Sequence, residues 1–215
     1  MIWRIHQINP QKRITDQIIE GLKNGDIFIL PTDTVYAFVC SLDAPRSINE
    51  LYRLKQMPTT HRLSLLCRDV GMASHYAQNM PNFVFRAIKQ LTPGPYAFIL
   101  KANRNMDRRG KGKKDEVGVR VVDHPLHKIL MEQLDVPLVS TSINPPEASQ
   151  EEFTTDPEDL DQRYGSRVRA VIDGGICYNA YSTVLDCTSG AFKLLRQGKG
   201  EIDKLELTDA QIETV

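Results

Sequence analysis

The chain has 215 residues, 41% of them hydrophobic and 25% charged, with 27 basic side chains balancing 27 acidic ones. These values suit one soluble domain with a core of its own. They come without any apolar stretch near the ~20 residues of a membrane span and without the charged-then-apolar start of a signal peptide. Cys40, Cys67, Cys177 and Cys187 have neither metal-ligand spacing nor a Cys-x-x-Cys pair. Small buried thiols in a reducing cytoplasm are therefore expected.

Taken from the N-terminus, Ile14, Ile18, Ile19 and Leu22 fall on one helical face, and Asn24 with Gly25 is a helix stop. The apolar run Ile27 to Leu30 follows as a strand. Ala44 to Lys55 reads as a second helix, stopped by Pro58, and Leu63 to Cys67 as a short strand. Helices are predicted around Val70–Ala77 and Phe83–Leu91. Strands follow at Tyr96–Leu100, after the rigid turn Thr92 to Pro95, and at Val117–Val122. Asp123 is placed to cap a helix whose Leu126, Ile129, Leu130 and Leu134 share a face. Further strands are expected near Leu138, at Val168–Ile172, Thr183–Asp186 and Phe192–Leu195, with a short helix opened by Asp156 and Pro157. Trp3 reads as a packing residue, and His6, His75, His124 and His127 as capping or surface residues. Helices and strands mixed without strict alternation or repeats predict a single α/β domain, residues 1–215, around a large twisted mixed sheet with flanking helices.

The most informative segment is Pro31-Thr32-Asp33-Thr34-Val35-Tyr36, which directly follows the strand Ile27 to Leu30. Pro, Thr and Asp all suit an ordinary turn. Ligands in open α/β sheets, however, bind at the carboxyl ends of strands. Two further hydroxyl clusters, Ser140-Thr141-Ser142-Ile143-Asn144 after Pro137 to Val139 and Tyr181-Ser182-Thr183, repeat the pattern. Arg120 sits in the strand pattern Gly118-Val119-Arg120-Val121. Val119 and Val121 would point to the opposite face, so the charge must meet a cleft or a partner.

These segments, with Leu194-Leu195-Arg196-Gln197-Gly198, resemble the YrdC/TsaC superfamily over about residues 8 to 203, in the family's order. Lys55-Gln56-Met57-Pro58, followed by His61 and Cys67, is most similar to its YciO branch. The resemblance implies a YrdC-like fold with an open, concave, basic cleft. It also implies synthesis of threonylcarbamoyl-adenylate from L-threonine, bicarbonate and ATP with Mg²⁺, serving modification of adenosine 37 in tRNA. By resemblance Arg120 holds the threonine carboxylate, Thr34 and Ser182 touch threonine, Tyr36 lines that subsite and Ser140 forms its floor. Lys55, His61, Ser142, Asn144 and Arg196 fall at ATP-contacting positions. No catalytic side chain and no protein-made metal site is implied.

Three positions depart from the synthase pattern. Met57 stands where the synthases carry arginine, His61 where they carry Lys or Asn, and Arg62 where they carry Pro. Loss of the arginine removes up to two charge-assisted hydrogen bonds, each worth about 1.5–3 kcal/mol when desolvated. The alternative to an enzyme is a non-catalytic module binding tRNA or double-stranded RNA. Its candidate is the run Lys101 to Lys114, seven basic residues against Asp107 alone. With no aromatic residue, it is read as a mobile loop whose Arg108, Arg109, Lys111, Lys113 and Lys114 meet phosphate backbone but do not stack bases.

Overall fold

A computed structural model describes residues 1–59, 61, 63–109, 115–143, 155–175, 177, 180–189, 191–203 and 212–214. The first strand, β1 (Ile2–Arg4), precedes helix α1 (Lys12–Lys23). Ile18, Ile19 and Leu22 bury the apolar face of α1, and Gly25 leaves the helix with a left-handed φ of 86°, a conformation glycine adopts without strain. The hairpin of β2 (Phe28–Leu30) and β3 (Ala37–Ser41) follows, buried throughout. Next come α2 (Pro45–Leu54), β4 (Ser64–Leu66), α3 (Val70–Ser74), α4 (Asn82–Leu91) and β5 (Tyr96–Lys101). The chain continues through α5 (Arg104–Arg109), β6 (Glu116–Arg120), α6 (Pro125–Gln133) and β7 (Leu138–Ser142). Helix α7 (Pro157–Tyr164) and strands β8 (Ala170–Asp173), β9 (Thr183–Asp186), β10 (Phe192–Arg196) and β11 (Ile212–Thr214) complete the described residues.

The strands form one mixed sheet in the order β1-β8-β2-β3-β7-β4-β6-β5-β9-β10-β11. Parallel pairs β4·β6 and β5·β9 alternate with the antiparallel pairs β3·β7, β4·β7 and β5·β6. The domain is single, α/β, with helices flanking the sheet. Phe28, Phe38, Phe98 and Phe192 are fully buried in its core. Tyr164 of α7 meets Phe38 edge-on at 5.0 Å, and Trp3 packs on Phe28 at 5.8 Å. All four cysteines are buried free thiols, and burial pushes each of them up, Cys177 to about 11.

Four local expectations need correction. Strand β3 was not expected, because a strand buried on both faces shows no alternation. The helix after β6 is capped by His124, whose Nδ1 accepts from the Leu126 N–H at 3.2 Å, not by Asp123. His127 is not a surface residue: it is 2% exposed, and its Nε2 lies 2.9 Å from the Pro31 carbonyl oxygen. The basic run is not a loop as far as Arg109. Lys101 closes β5, and Arg104–Arg109 is helical, started by Asn103 Oδ1 accepting from the Asn105 N–H and anchored by buried Met106.

Candidate functional site

Strand β2 ends at Leu30, and Thr32 to Val35 then close on themselves. Thr32 Oγ1 donates to the Val35 carbonyl at 2.7 Å and accepts from the Thr34 N–H at 3.1 Å. The turn thereby satisfies its own backbone while remaining buried. Asp33 is 7% exposed and Thr34 is fully buried.

Across the sheet, Gly118 and Arg120 share one face of β6, while Val117 and Val119 take the other, as strand alternation dictates. Arg120 is 9% exposed. Its Nη2 donates to Asp33 Oδ1 at 2.7 Å and to Thr34 Oγ1 at 3.2 Å, and its Nε is buried without a partner among the described residues. The other Asp33 oxygen accepts from the Asp123 N–H at 3.3 Å, and the Asp33 carbonyl accepts from Lys199 Nζ at 3.0 Å. Burial lowers the pKa of Arg120 and the Asp33 charge raises it; a guanidinium stays protonated in such a pair.

The same face of the sheet is lined with small residues. Ser142 lies beside Ala37, Ser140 beside Ser64, and Ser64 beside Gly118. A methyl at Gly118 would meet Ser64 Oγ at 3.2 Å, so this floor is as low as the neighbouring chains allow. Over it opens a cavity of about 580 Å³, lined by Thr34, Lys55, Met57, His61, Arg120, Ser140, Ser142, Tyr181, Ser182 and Arg196 among others, with no carboxylate in its walls among the described residues. Lys55 ends α2 and its Nζ donates to the Ile143 carbonyl at 2.8 Å. Gln56 then takes a left-handed φ of 52°, costing an L-residue roughly 1–2 kcal/mol, and turns the chain to present Met57 and His61. Arg196 donates from Nε and Nη2 to the Ser182 carbonyl at 3.2 and 3.0 Å, and its guanidinium lies 4.6 Å from the centre of the Tyr181 ring. Burial lowers the pKa of Arg196, Tyr181 opposes that shift, and Arg120 adds to it.

Eight predicted residues therefore share one cavity: Thr34, Lys55, His61, Arg120, Ser140, Ser142, Ser182 and Arg196. Tyr36 does not join them. It is buried away from the cavity and its hydroxyl donates to the Gly175 carbonyl at 2.7 Å; with Val35 and Ala37 on the cavity side, the residue between them points elsewhere. Asn144, Arg62, Lys111, Lys113 and Lys114 lie outside the described residues, and Arg108 and Arg109 are described only as backbone of α5. The sequence reading gave Asp33 no role. Its signal was present, since a carboxylate at the end of a buried strand and an arginine inside another each require a counter-charge. Among the described residues, no cluster of three or more His, Cys, Asp or Glu side chains could hold a metal ion, and no helix is long and apolar enough to cross a membrane.

Residues 20–198 match the Sua5_yciO_yrdC family model, described as "Telomere recombination". The uncharacterized protein YciO of Escherichia coli K12 is 35% identical over 200 residues, spanning 92% of this chain and 95% of that one. A threonylcarbamoyl-AMP synthase of Vibrio campbellii is 30% identical over 196 residues, 85% of this chain and 98% of its own. Among solved structures, E. coli YciO superposes with a TM-score of 0.86 at 33% identity, covering 95% and 98% of the two chains. P. abyssi Sua5 complexed with L-threonine shares the fold at 0.87 and 21% identity, over all of this chain and 62% of that one.

Proposed function

The chain belongs to the Sua5/YciO/YrdC family, and on that premise we propose that its cavity binds L-threonine at Arg120 and ATP along Lys55, Ser142 and Arg196. Catalysis, where it occurs, joins them with bicarbonate into threonylcarbamoyl-adenylate. The observation that carries the reading is the shared cavity. It sets a buried guanidinium and hydroxyls of Thr34, Ser140 and Ser182 beside two further cations, Lys55 and Arg196. A carboxylate suits the first group, and phosphates suit the second.

In the proposed reaction the threonine amine adds to carbon dioxide derived from bicarbonate, giving an N-carboxylate. One of its oxygens attacks the α-phosphorus of ATP, the bond to the bridging oxygen breaks, and pyrophosphate leaves. Side-chain chemistry is limited to positioning two anions and screening charge as they approach. Among the described residues no carboxylate lines the walls, and in this reading Mg²⁺ arrives on the nucleotide phosphates as part of the substrate. Met57 sits at the cavity margin where the synthase pattern has arginine, so turnover slower than that of arginine-bearing synthases is part of the proposal. No described side chain favours the RNA-binding alternative.

The test incubates purified protein with labelled threonine, bicarbonate and ATP-Mg²⁺ and scores pyrophosphate release. Threonine-dependent release is expected, at a low rate. Absence of both release and threonine binding by calorimetry would overturn the reading.

A further inference from the structure

Arg120 and Arg196 offer the same guanidinium to one cavity, yet the proposed substrates carry two different anions that must not exchange places. A phosphate, with more charge than a carboxylate, wins any bare guanidinium on Coulomb grounds alone. The two arginines differ in their counter-charge. Arg196 is held by a neutral carbonyl and a ring face, and among the described residues no carboxylate pairs with it. Arg120 is paired at 2.7 Å with Asp33, which is itself buried and fixed by the Asp123 N–H and, through its own carbonyl, by Lys199. Held from three directions, Asp33 is not a group that swings aside when a ligand arrives.

Building on the function proposed above, we infer that Asp33 determines specificity, reserving Arg120 for a monoanionic carboxylate and turning phosphate away from it. The Arg120–Asp33 pair is neutral as a unit: it presents donors without net charge. A carboxylate gains those hydrogen bonds and meets one buried negative charge behind them. A phosphate dianion gains the same bonds but meets that charge twice over, and with Asp33 only 7% exposed solvent screens it less than a surface charge. Discrimination by a repulsive group suits a site whose two attractive groups are chemically alike. Arg196, whose charge is not cancelled, is left for the phosphates.

Asp33→Asn keeps an acceptor for Arg120 and removes the charge. Binding of inorganic phosphate and of threonine should be measured by calorimetry in the wild type, in Asp33→Asn, and in Asp33→Asn combined with Arg120→Lys. The wild type should bind threonine with little competition from phosphate. Asp33→Asn should bind phosphate at least about tenfold more tightly and in competition with threonine, and the added Arg120→Lys should reverse most of that gain. Loss of threonine affinity in Asp33→Asn with phosphate affinity unchanged would make Asp33 a positioning residue only and overturn the inference. Should the variant fail to fold, the wild type decides: phosphate should compete with threonine better as the monoanion, below its second ionisation, than as the dianion above it, and the reverse order would overturn the inference. A wild type that binds no threonine defeats the function proposed above, while the comparison of phosphate binding between wild type and Asp33→Asn still reads the role of Asp33.

Discussion

At the Arg120 corner of the cavity, Asp33, Thr34, Ser140 and Ser182 are all buried, and two neighbouring residues of one turn, Asp33 and Thr34, accept from one guanidinium. At the opposite margin, Met57 is half-buried and His61 exposed, on a turn that leaves α2 through the left-handed Gln56. The corner is tightly coupled, because removing Arg120 leaves the buried Asp33 carboxylate without its counter-charge. The margin is tied to the body chiefly through Lys55 to Ile143 and through the Tyr52 hydroxyl, which donates to the His61 carbonyl at 3.0 Å. Change at the corner should therefore cost the fold, and change at the margin should alter only what the cavity holds.

The largest expected effect is at the corner. Arg120→Ala strands the Asp33 carboxylate in a buried site, a loss of about 3–5 kcal/mol, to be read from the urea midpoint together with loss of threonine binding. Arg120→Lys should recover part of the stability but little of the binding, since an ammonium lacks the planar fork. An Arg120→Ala protein as stable as the wild type would break the comparison.

Next in size is a pH effect behind the same corner. Burial, followed by the charges of His124 and Arg120, pulls the His127 imidazole down to about 3, against the raising influence of its bond to Pro31. Its folded pKa lies below the unfolded value of about 6.5. The unfolded chain therefore binds the proton first, and the contribution is full above about pH 6.5 and lost as pH falls towards 3. The slope from this one group is at most about 1.4 kcal/mol per pH unit. Urea midpoints between pH 7 and 4 should show the decline, and His127→Gln should be less stable at pH 7 but flatter below it. An unchanged slope would remove His127 from the corner's support.

A smaller and opposite effect is expected at the margin. Met57→Arg adds a cation to the cavity and should raise ATP-dependent turnover by about tenfold or more, with the urea midpoint unmoved. A drop in stability there would show that the margin is packed as tightly as the corner. The smallest effect belongs to α5: replacing Arg108 and Arg109 with Ala should change threonine-dependent pyrophosphate release by less than about twofold, since the proposed reaction assigns them no part. If the same change weakens RNA binding and flattens its salt dependence, the RNA-binding alternative gains ground.

The residues that sequence reading brought to the cavity share a physical signature. The buried charge at Arg120 and the hydroxyls of Thr34, Ser140, Ser142 and Ser182 all follow or interrupt apolar strands, so their types and the strand period together imply a shared cavity. Asp33 and Arg120 each signalled the need for a counter-charge, but they lie 87 residues apart and nothing local showed that each is the other's partner. Tyr36 falls between Val35 and Ala37, which line the cavity, and its hydroxyl is taken up by the Gly175 carbonyl, a partner 139 residues away that no local pattern announces. Strand β3 lacked an alternation to read, and α5 lacked an apolar stripe, its only buried residue among those with described side chains being Met106. The exchange of Asp123 for His124 as a cap is a one-residue shift, decided by which side chain meets the Leu126 N–H.

The four buried thiols give the molecule built-in clocks. Cys40 lies within β3, Cys67 just past β4 and Cys187 just past β9, while the Cys177 Sγ sits 3.7 Å from the Thr32 carbonyl in the turn that carries Asp33. A thiol reagent meets none of them in the closed protein, and burial disfavours the reactive thiolate of each. Labelling is therefore gated by opening, and its rate counts how often each neighbourhood breathes. Cys177 times the Thr32 turn, whereas Cys40 times the centre of the sheet. Mass spectrometry of the time course would resolve the four without introducing a single foreign probe, and slowing of Cys177 alone on adding threonine would register the ligand at the turn.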